Sequence, residues 1–273
     1  MANLDHLAQL KAGVWAWNRW RSQYPHIEPD LRDLSLRGFN FSGANLRQVN
    51  FGNSVLVGTL LQGAQLQQAN FTLANLSQAQ LDGADLSHAN LIGANLQDAS
   101  LAEANLSQAN LIGARLRNAN LKRSHLDRAQ LNRCDLGSAV LIEANLCSAI
   151  LGQSNLHQAI LIDAQMYGVD LTLANLREAN LCHAYLVAAL LIDADLYAAR
   201  CDWANLSRAN LQGANLQQAS LRGTNLSRSR LQGAYFNDID WEMANLDHAE
   251  LDNLAHLTGQ PHIPSAPTDN RRT

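Results

Sequence analysis

The sequence predicts an all-β solenoid, a chain that turns once every five residues around a narrow apolar core. Three observations lead there. From Leu31 to Leu251, every fifth residue is apolar, and 38 of these 45 positions are Leu. A second series lies two residues earlier, from Leu34 to Ala249, and 32 of its 44 positions are Ala. The spacing holds without a slip across the whole stretch.

A period of five excludes the two simple elements. On an α-helix each Leu would be rotated about 140° from the last and would cover every face. On a straight strand the odd spacing would throw alternate Leu side chains to opposite faces. The chain must therefore turn within each pentad and return each Leu to a shared interior. The small residue two positions before each Leu points to the same side of an extended chain. Ala there leaves room for Leu, so large and small side chains interlock. Gly, Ser, Gln and Asp after the Leu suit a corner.

These pentads, read as Ala-Asn-Leu at 44–46, 74–76, 94–96 and 104–106, resemble the pentapeptide repeat family, whose consensus is Ala-(Asp/Asn)-Leu-x-x. The resemblance covers residues 31–251. It implies a right-handed quadrilateral β-helix in which four pentads make one square coil and each residue stacks on its counterpart four pentads away. About eleven coils at ~4.8 Å per layer give a rod about 53 Å long. The family is abundant in cyanobacteria, and some members act in regulation through protein contacts. Others are acidic dimers that bind DNA gyrase and protect it from quinolone drugs.

The ends read differently. A solenoid end exposes core and unpaired backbone, so a cap is expected. Residues 1–30 are read as an N-terminal helical cap. Leu4, Leu7, Leu10, Lys11 and Val14 have helical spacing, and Asn3 suits an N-cap. Trp15, Trp17, Trp20 and Tyr24 add aromatic area, and Trp17-Asn18-Arg19-Trp20-Arg21 resembles N-terminal segments of some family members. Residues 252–273 are read as a C-terminal cap and tail: Leu246, Leu251, Leu254 and Leu257 suggest a short helix, and a mobile tail from Gly259 bears Pro261, Pro264 and Pro267. Leu251, Leu254 and Leu257 are the candidate surface for a homodimer through the C-terminal end, as in some family members.

Composition narrows function. Aromatics are 5% and charged residues 16%, and the net charge of -4 is far from that of a nucleic-acid binder. No direct nucleic-acid contact is expected. A DNA mimic needs a duplex-like density of negative charge, yet residues 31–251 carry 19 acids and 15 bases. No apolar run approaches the length of a membrane span. The N-terminus lacks the charged and apolar regions of a signal peptide, and Cys134, Cys147, Cys182 and Cys201 lack metal or disulfide spacing. A cytoplasmic location is expected.

No Gly-rich nucleotide loop, metalloprotease motif or nucleophile elbow occurs. Of nine His residues only His88 and His248 share a column, eight coils apart, whereas a metal needs three or four converging ligands. Neither an enzyme nor a cofactor is expected.

The remaining candidates are surface columns. Glu103, Arg123 and Glu143 alternate in sign from coil to coil, as do Asp202, Arg222 and Glu242. Asn50, Asn70, Asn90 and Asn110 form a prospective Asn ladder. The positions flanking each Leu are usually polar, but Val140, Ile142, Ile160 and Ile162 place branched apolar side chains on one side of two adjacent coils, with Cys182 continuing the column. Asp135, Glu143 and Asp163 are expected around them as a polar rim. This patch is the candidate contact site for a protein partner.

Overall fold

A computed structural model of the chain describes residues 2–251. The expected C-terminal helix and tail, with Leu254 and Leu257, lie outside the described residues. Parallel β-bridges join Asp30 to Asn50, Ser35 to Val55, Asn40 to Leu60 and Asn45 to Gln65, and the same register continues without interruption to Arg230 and Glu250. Eleven coils follow from that register. Each side contributes one bridge residue per coil, so a side is a bridge between turns rather than a longer strand. The four sides are numbered here by their central residues: side one holds Leu31, side two Leu36, side three Phe41 and side four Leu46, and each repeats every coil.

The pentad from Asn105 to Ala109 shows how the backbone is satisfied. The Asn105 amide donates down to the Ala84 carbonyl (2.9 Å), while Leu106 donates up to His125 (2.7 Å) and Gln108 to Asp127 (3.0 Å). Ala109 closes the turn by donating to the Leu106 carbonyl at 3.0 Å. Only the Ser107 amide has no backbone partner, and the Asn105 side-chain Oδ1 accepts from it at 3.0 Å. Every Asn or Asp in this position, from Asp30 to Asn245, accepts from the amide two residues on. The side chain covers the one amide that the coil leaves over.

The corner is more specific than a choice of polar residues. The second residue after each central residue has positive φ, from Asp33 through His248. Gly occupies a minority of these positions, and Leu73, Ala188 and Trp203 adopt the same backbone. This left-handed conformation costs a side-chain-bearing residue about 1–2 kcal/mol. The inter-coil hydrogen bonds on both sides of each corner hold it.

Leu and Ala fill the interior, with Leu106 and Ala109 fully buried among their neighbours. Phe51 and Phe71 stack in consecutive coils, ring centroids 5.2 Å apart. Where a hydroxyl or thiol replaces the inward Ala, it can bond to a carbonyl: Ser124 to Leu121 (2.8 Å) and Cys134 to Leu111 (2.9 Å).

The N-terminal segment forms two helices rather than one, α1 (Leu4–Lys11) and α2 (Val14–Gln23). They break at Gly13, whose φ of 97° no helix accommodates. Asn3 caps α1, its Oδ1 accepting from Asp5 at 2.9 Å and from His6 at 3.3 Å. The helices replace the missing coil along two sides. On side four, Trp17 Nε1 donates to the Asn45 carbonyl (2.7 Å), and the Asn18 Oδ1 accepts from the Asn45 amide (2.7 Å). Arg21, buried, donates to the carbonyls of Ile27 and Arg47. On side one, the Asn3 amide donates to the Asp30 carbonyl (3.0 Å), and His6 Nδ1 accepts from the Asp30 amide (3.0 Å). Trp17 is fully buried and Trp20 packs against it, whereas Trp15 and Leu4 are exposed.

The turn acceptor and the N-terminal cap can each be tested. Asn145→Ala removes the acceptor for the Cys147 amide, now held at 3.1 Å. It is expected to cost about 1 kcal/mol in chemical denaturation, and Asn145→Asp, which keeps the acceptor, is expected to cost much less. At the cap, burial holds the His6 pKa below its ordinary 6.5, Arg21 adds to this, and Asp30 and Asp5 oppose it. The neutral ring is the form that accepts the Asp30 amide. Its contribution is therefore complete above pH 6.5 and declines as pH falls from there through the folded-state value, where the folded state must also take up the proton. Thermal unfolding from pH 7.5 to 5 checks this, with His6→Phe expected to flatten the dependence.

Candidate protein-contact site

The structure brings Val140, Ile142, Ile160 and Ile162 together on side three. Val140 and Ile160 are bridge partners, and the Glu143 amide donates to the Ile162 carbonyl at 2.9 Å. All four side chains are half-buried rather than fully exposed, because each coil shields the next. Cys182 does not extend the patch: it is 7% exposed, and its thiol donates to Asp202 Oδ2 at 3.6 Å.

The acidic neighbours differ in their engagement. Glu143 pairs with Arg123 at 2.8 Å. Asp135 lies on side two, where it accepts from the Gly137 amide and from Asn155 and faces Arg117. Asp163 occupies the corner position beside Ile162 and is exposed. The patch thus has two acids at its corner edge, one of them already paired.

Branched residues here displace the Asn or Asp of the turn. Val140 and Ile160 have no side-chain acceptor, so among the described residues the Ile142 and Ile162 amides have no hydrogen-bond partner. The same holds at other apolar replacements, such as Val57 after Val55 and Ile192 after Leu190. By contrast, Ile92 and Ile112 follow Asn90 and Asn110, whose Oδ1 atoms hold their amides at 3.2 Å.

The prospective Asn ladder is one rung long. Asn70 Nδ2 donates to Asn50 Oδ1 at 3.3 Å, while Asn90 and Asn110 serve their own turns. Side two carries the longer ladder, with Asn155 donating to Asp135 (2.8 Å) and Asn175 to Asn155 (3.0 Å). The charge columns pair at one rung each: Arg123 with Glu143, and Arg222 with Glu242 at 2.9 Å. Exposed pairs of this kind contribute under about 1 kcal/mol each. Among the described residues no group of three His, Cys, Asp or Glu side chains converges as a metal site, and no helix is long and apolar enough to cross a membrane. The surface does carry open grooves. One of about 430 Å³ on side one runs past Ile112, Gly152 and Leu173.

The family model for pentapeptide repeats matches the chain in successive copies between residues 30 and 254. The chain belongs to the pentapeptide repeat family. Among solved structures, it is similar to HetL, a pentapeptide repeat protein involved in heterocyst differentiation regulation from the cyanobacterium Nostoc sp. strain PCC 7120. The two share 29% identity over 85% of this chain and 94% of that one, with a TM-score of 0.52. A trypsin-treated form of QnrB1, a plasmid-mediated fluoroquinolone resistance protein, is 20% identical over 67% of this chain and 97% of its own, with a TM-score of 0.51. That likeness shows the fold, a right-handed β-helix. A pentapeptide repeat protein from the Arabidopsis thaliana thylakoid lumen is 38% identical over 37% of this chain and 66% of its own, with a TM-score of 0.22. No curated protein matches.

The cysteines yield a direct check on burial. Burial pushes the Cys134 thiol up to about 12. Burial likewise raises Cys201 and Cys182, with Arg200 opposing at Cys182. Cys147 alone is half-exposed. Thiolate-specific reagent at pH 8 is expected to modify one thiol per chain, Cys147, in the native protein and all four after denaturation. A second fast thiol would contradict the burial of the other three.

Proposed function

We propose that the chain is a non-enzymatic, rigid scaffold for protein–protein interaction with a regulatory role in the cytoplasm, and that Val140, Ile142, Ile160 and Ile162 contact its partner. One observation carries the reading. On two successive coils of side three, Val or Ile takes the place where Asn or Asp would satisfy the turn, a second Ile follows each, and the amides of Ile142 and Ile162 go without an acceptor. Apolar replacements leave the turn amide without an acceptor elsewhere too, but here four branched side chains cluster on adjacent coils of one side, and clustered apolar area of this kind marks interaction sites.

Similarity to HetL, a protein involved in differentiation regulation, supports a regulatory role. A rod that mimics DNA is the weaker alternative. Its surface would need continuous negative charge, and this rod alternates: Arg115, Arg117, Lys122, Arg123, Arg128 and Arg133 form a basic band in mid-length.

The test is one variant, Ile142→Ser with Ile162→Ser. It is expected to keep its melting temperature within a few degrees, because the two side chains lie outside the Leu/Ala core, and to lose the partner that wild-type protein captures from native extract. Retained capture, or collapse of the fold, would each contradict the proposal.

A further inference from the structure

Side four changes character near the C-terminal end of the rod. Tyr167 and Tyr185 are exposed there, and Val187 is half-buried beside them. One coil on, the positions of Val187 and Ala188 hold Ser207 and Arg208, and the next coil repeats this with Ser227 and Arg228. Tyr185, Val187, Ser207, Arg208, Ser227 and Arg228 line one open groove of about 600 Å³.

The two arginines are unlike their neighbours. Arg177 pairs with Asp195 (3.2 Å), Arg200 with Asp202 (3.4 Å), Arg222 with Glu242 (2.9 Å) and Arg230 with Glu250 (3.6 Å). Among the described residues, neither Arg208 nor Arg228 has a carboxylate within 4.0 Å or any other side-chain partner. Both are exposed, and they stack in adjacent coils, about 4.8 Å apart at the backbone. Each guanidinium presents a planar fork of N–H donors that matches a carboxylate, and two like charges on adjacent coils favour an anionic ligand. Ser207 and Ser227 add hydroxyl donors beside them, and the Tyr185 ring supplies an apolar body at the groove's other end.

We propose that this groove binds an extended acidic segment of a protein partner. An apolar side chain of the segment rests on Tyr185 and Val187, and carboxylates one or two alternate residues further along engage Arg208 and Arg228. Same-side residues of an extended peptide lie about 6.6 Å apart, so a segment along the rod axis reaches from the aromatic end to both arginines. Two arginines suit a short acidic peptide better than a polyphosphate backbone, whose affinity grows with each charge neutralised, and Asp247, lining the groove one coil beyond Arg228, keeps the acidic stretch short. The inference rests on the reading of the rod as a protein-binding scaffold but uses no residue of the side-three patch.

The experiment is fluorescence polarisation with a fluorescein-labelled peptide of sequence Phe-Gly-Glu-Gly-Glu-Gly. Saturable binding that weakens with salt is expected. Arg208→Gln with Arg228→Gln is expected to weaken it at least about tenfold, and Tyr185→Ser to weaken it too, with unchanged circular dichroism. Ile142→Ser with Ile162→Ser is expected to leave it unaltered, so failure of the side-three patch is told apart from failure of the groove. Absent saturable binding, equal affinity for the peptide with Lys in place of Glu, or equal affinity of the double-arginine variant would overturn the proposal. So would tighter binding of a single-stranded oligonucleotide.

Discussion

The structure depends on the hydrogen-bonding needs of five consecutive amides. In each interior pentad two amides donate up the stack, one donates down and one closes the turn. That arrangement is possible only if the chain bends once per pentad and lays each pentad directly above its counterpart in the preceding coil. The fifth amide is stranded at the corner. An Asn or Asp immediately before the central Leu supplies its acceptor from within the same pentad. The Ala-Asn-Leu core of the repeat therefore answers three separate demands: room inside, an acceptor for the turn, and bulk to fill the interior.

The same bend accounts for the backbone at the corners. A turn this tight forces its second residue to positive φ, whatever its side chain. Where the corner is Gly, the neighbouring coil can use the space: the Trp203 ring lies so close over Gly223 that a Cβ there would clash with its ring carbons. The ladder ends where coils end, and the N-terminal helices continue it with side chains. Trp17, Asn18 and Arg21 meet side four, while Asn3 and His6 meet side one. On the other two sides, Ser35 and Asn40 remain exposed at the edge.

The periodic part of this architecture was legible in the sequence because period and side-chain size translate directly into turns and interior. The inward Leu and Ala series follow from geometry alone. The role of Asn and Asp was not legible, since it depends on which amide the coil leaves over. The break at Gly13 was not legible because a single Gly is tolerated within a helical pattern. Cys182 occupies an outward column but is covered by its neighbours. The groove at Arg208 and Arg228 was not legible because ion pairing along the rod has no single spacing. Arg200 reaches Asp202 within its own pentad turn, Arg222 reaches Glu242 directly above it, and Arg177 reaches Asp195 obliquely in the next coil. Which arginines stay unpaired is settled by side-chain reach across coils.

Residue-resolved amide hydrogen exchange tests this architecture most directly. Ile92, Ile112, Ile142 and Ile162 are the same residue type at the same place in the pentad. The first two follow Asn, whose side chain holds their amides, and the last two follow Val140 and Ile160. Slow exchange is expected at Ile92 and Ile112 and fast exchange at Ile142 and Ile162, with the flanking Leu91, Leu111, Leu141 and Leu161 amides slow throughout. Equal protection at all four isoleucines, or protection recurring with a helical period, would contradict it.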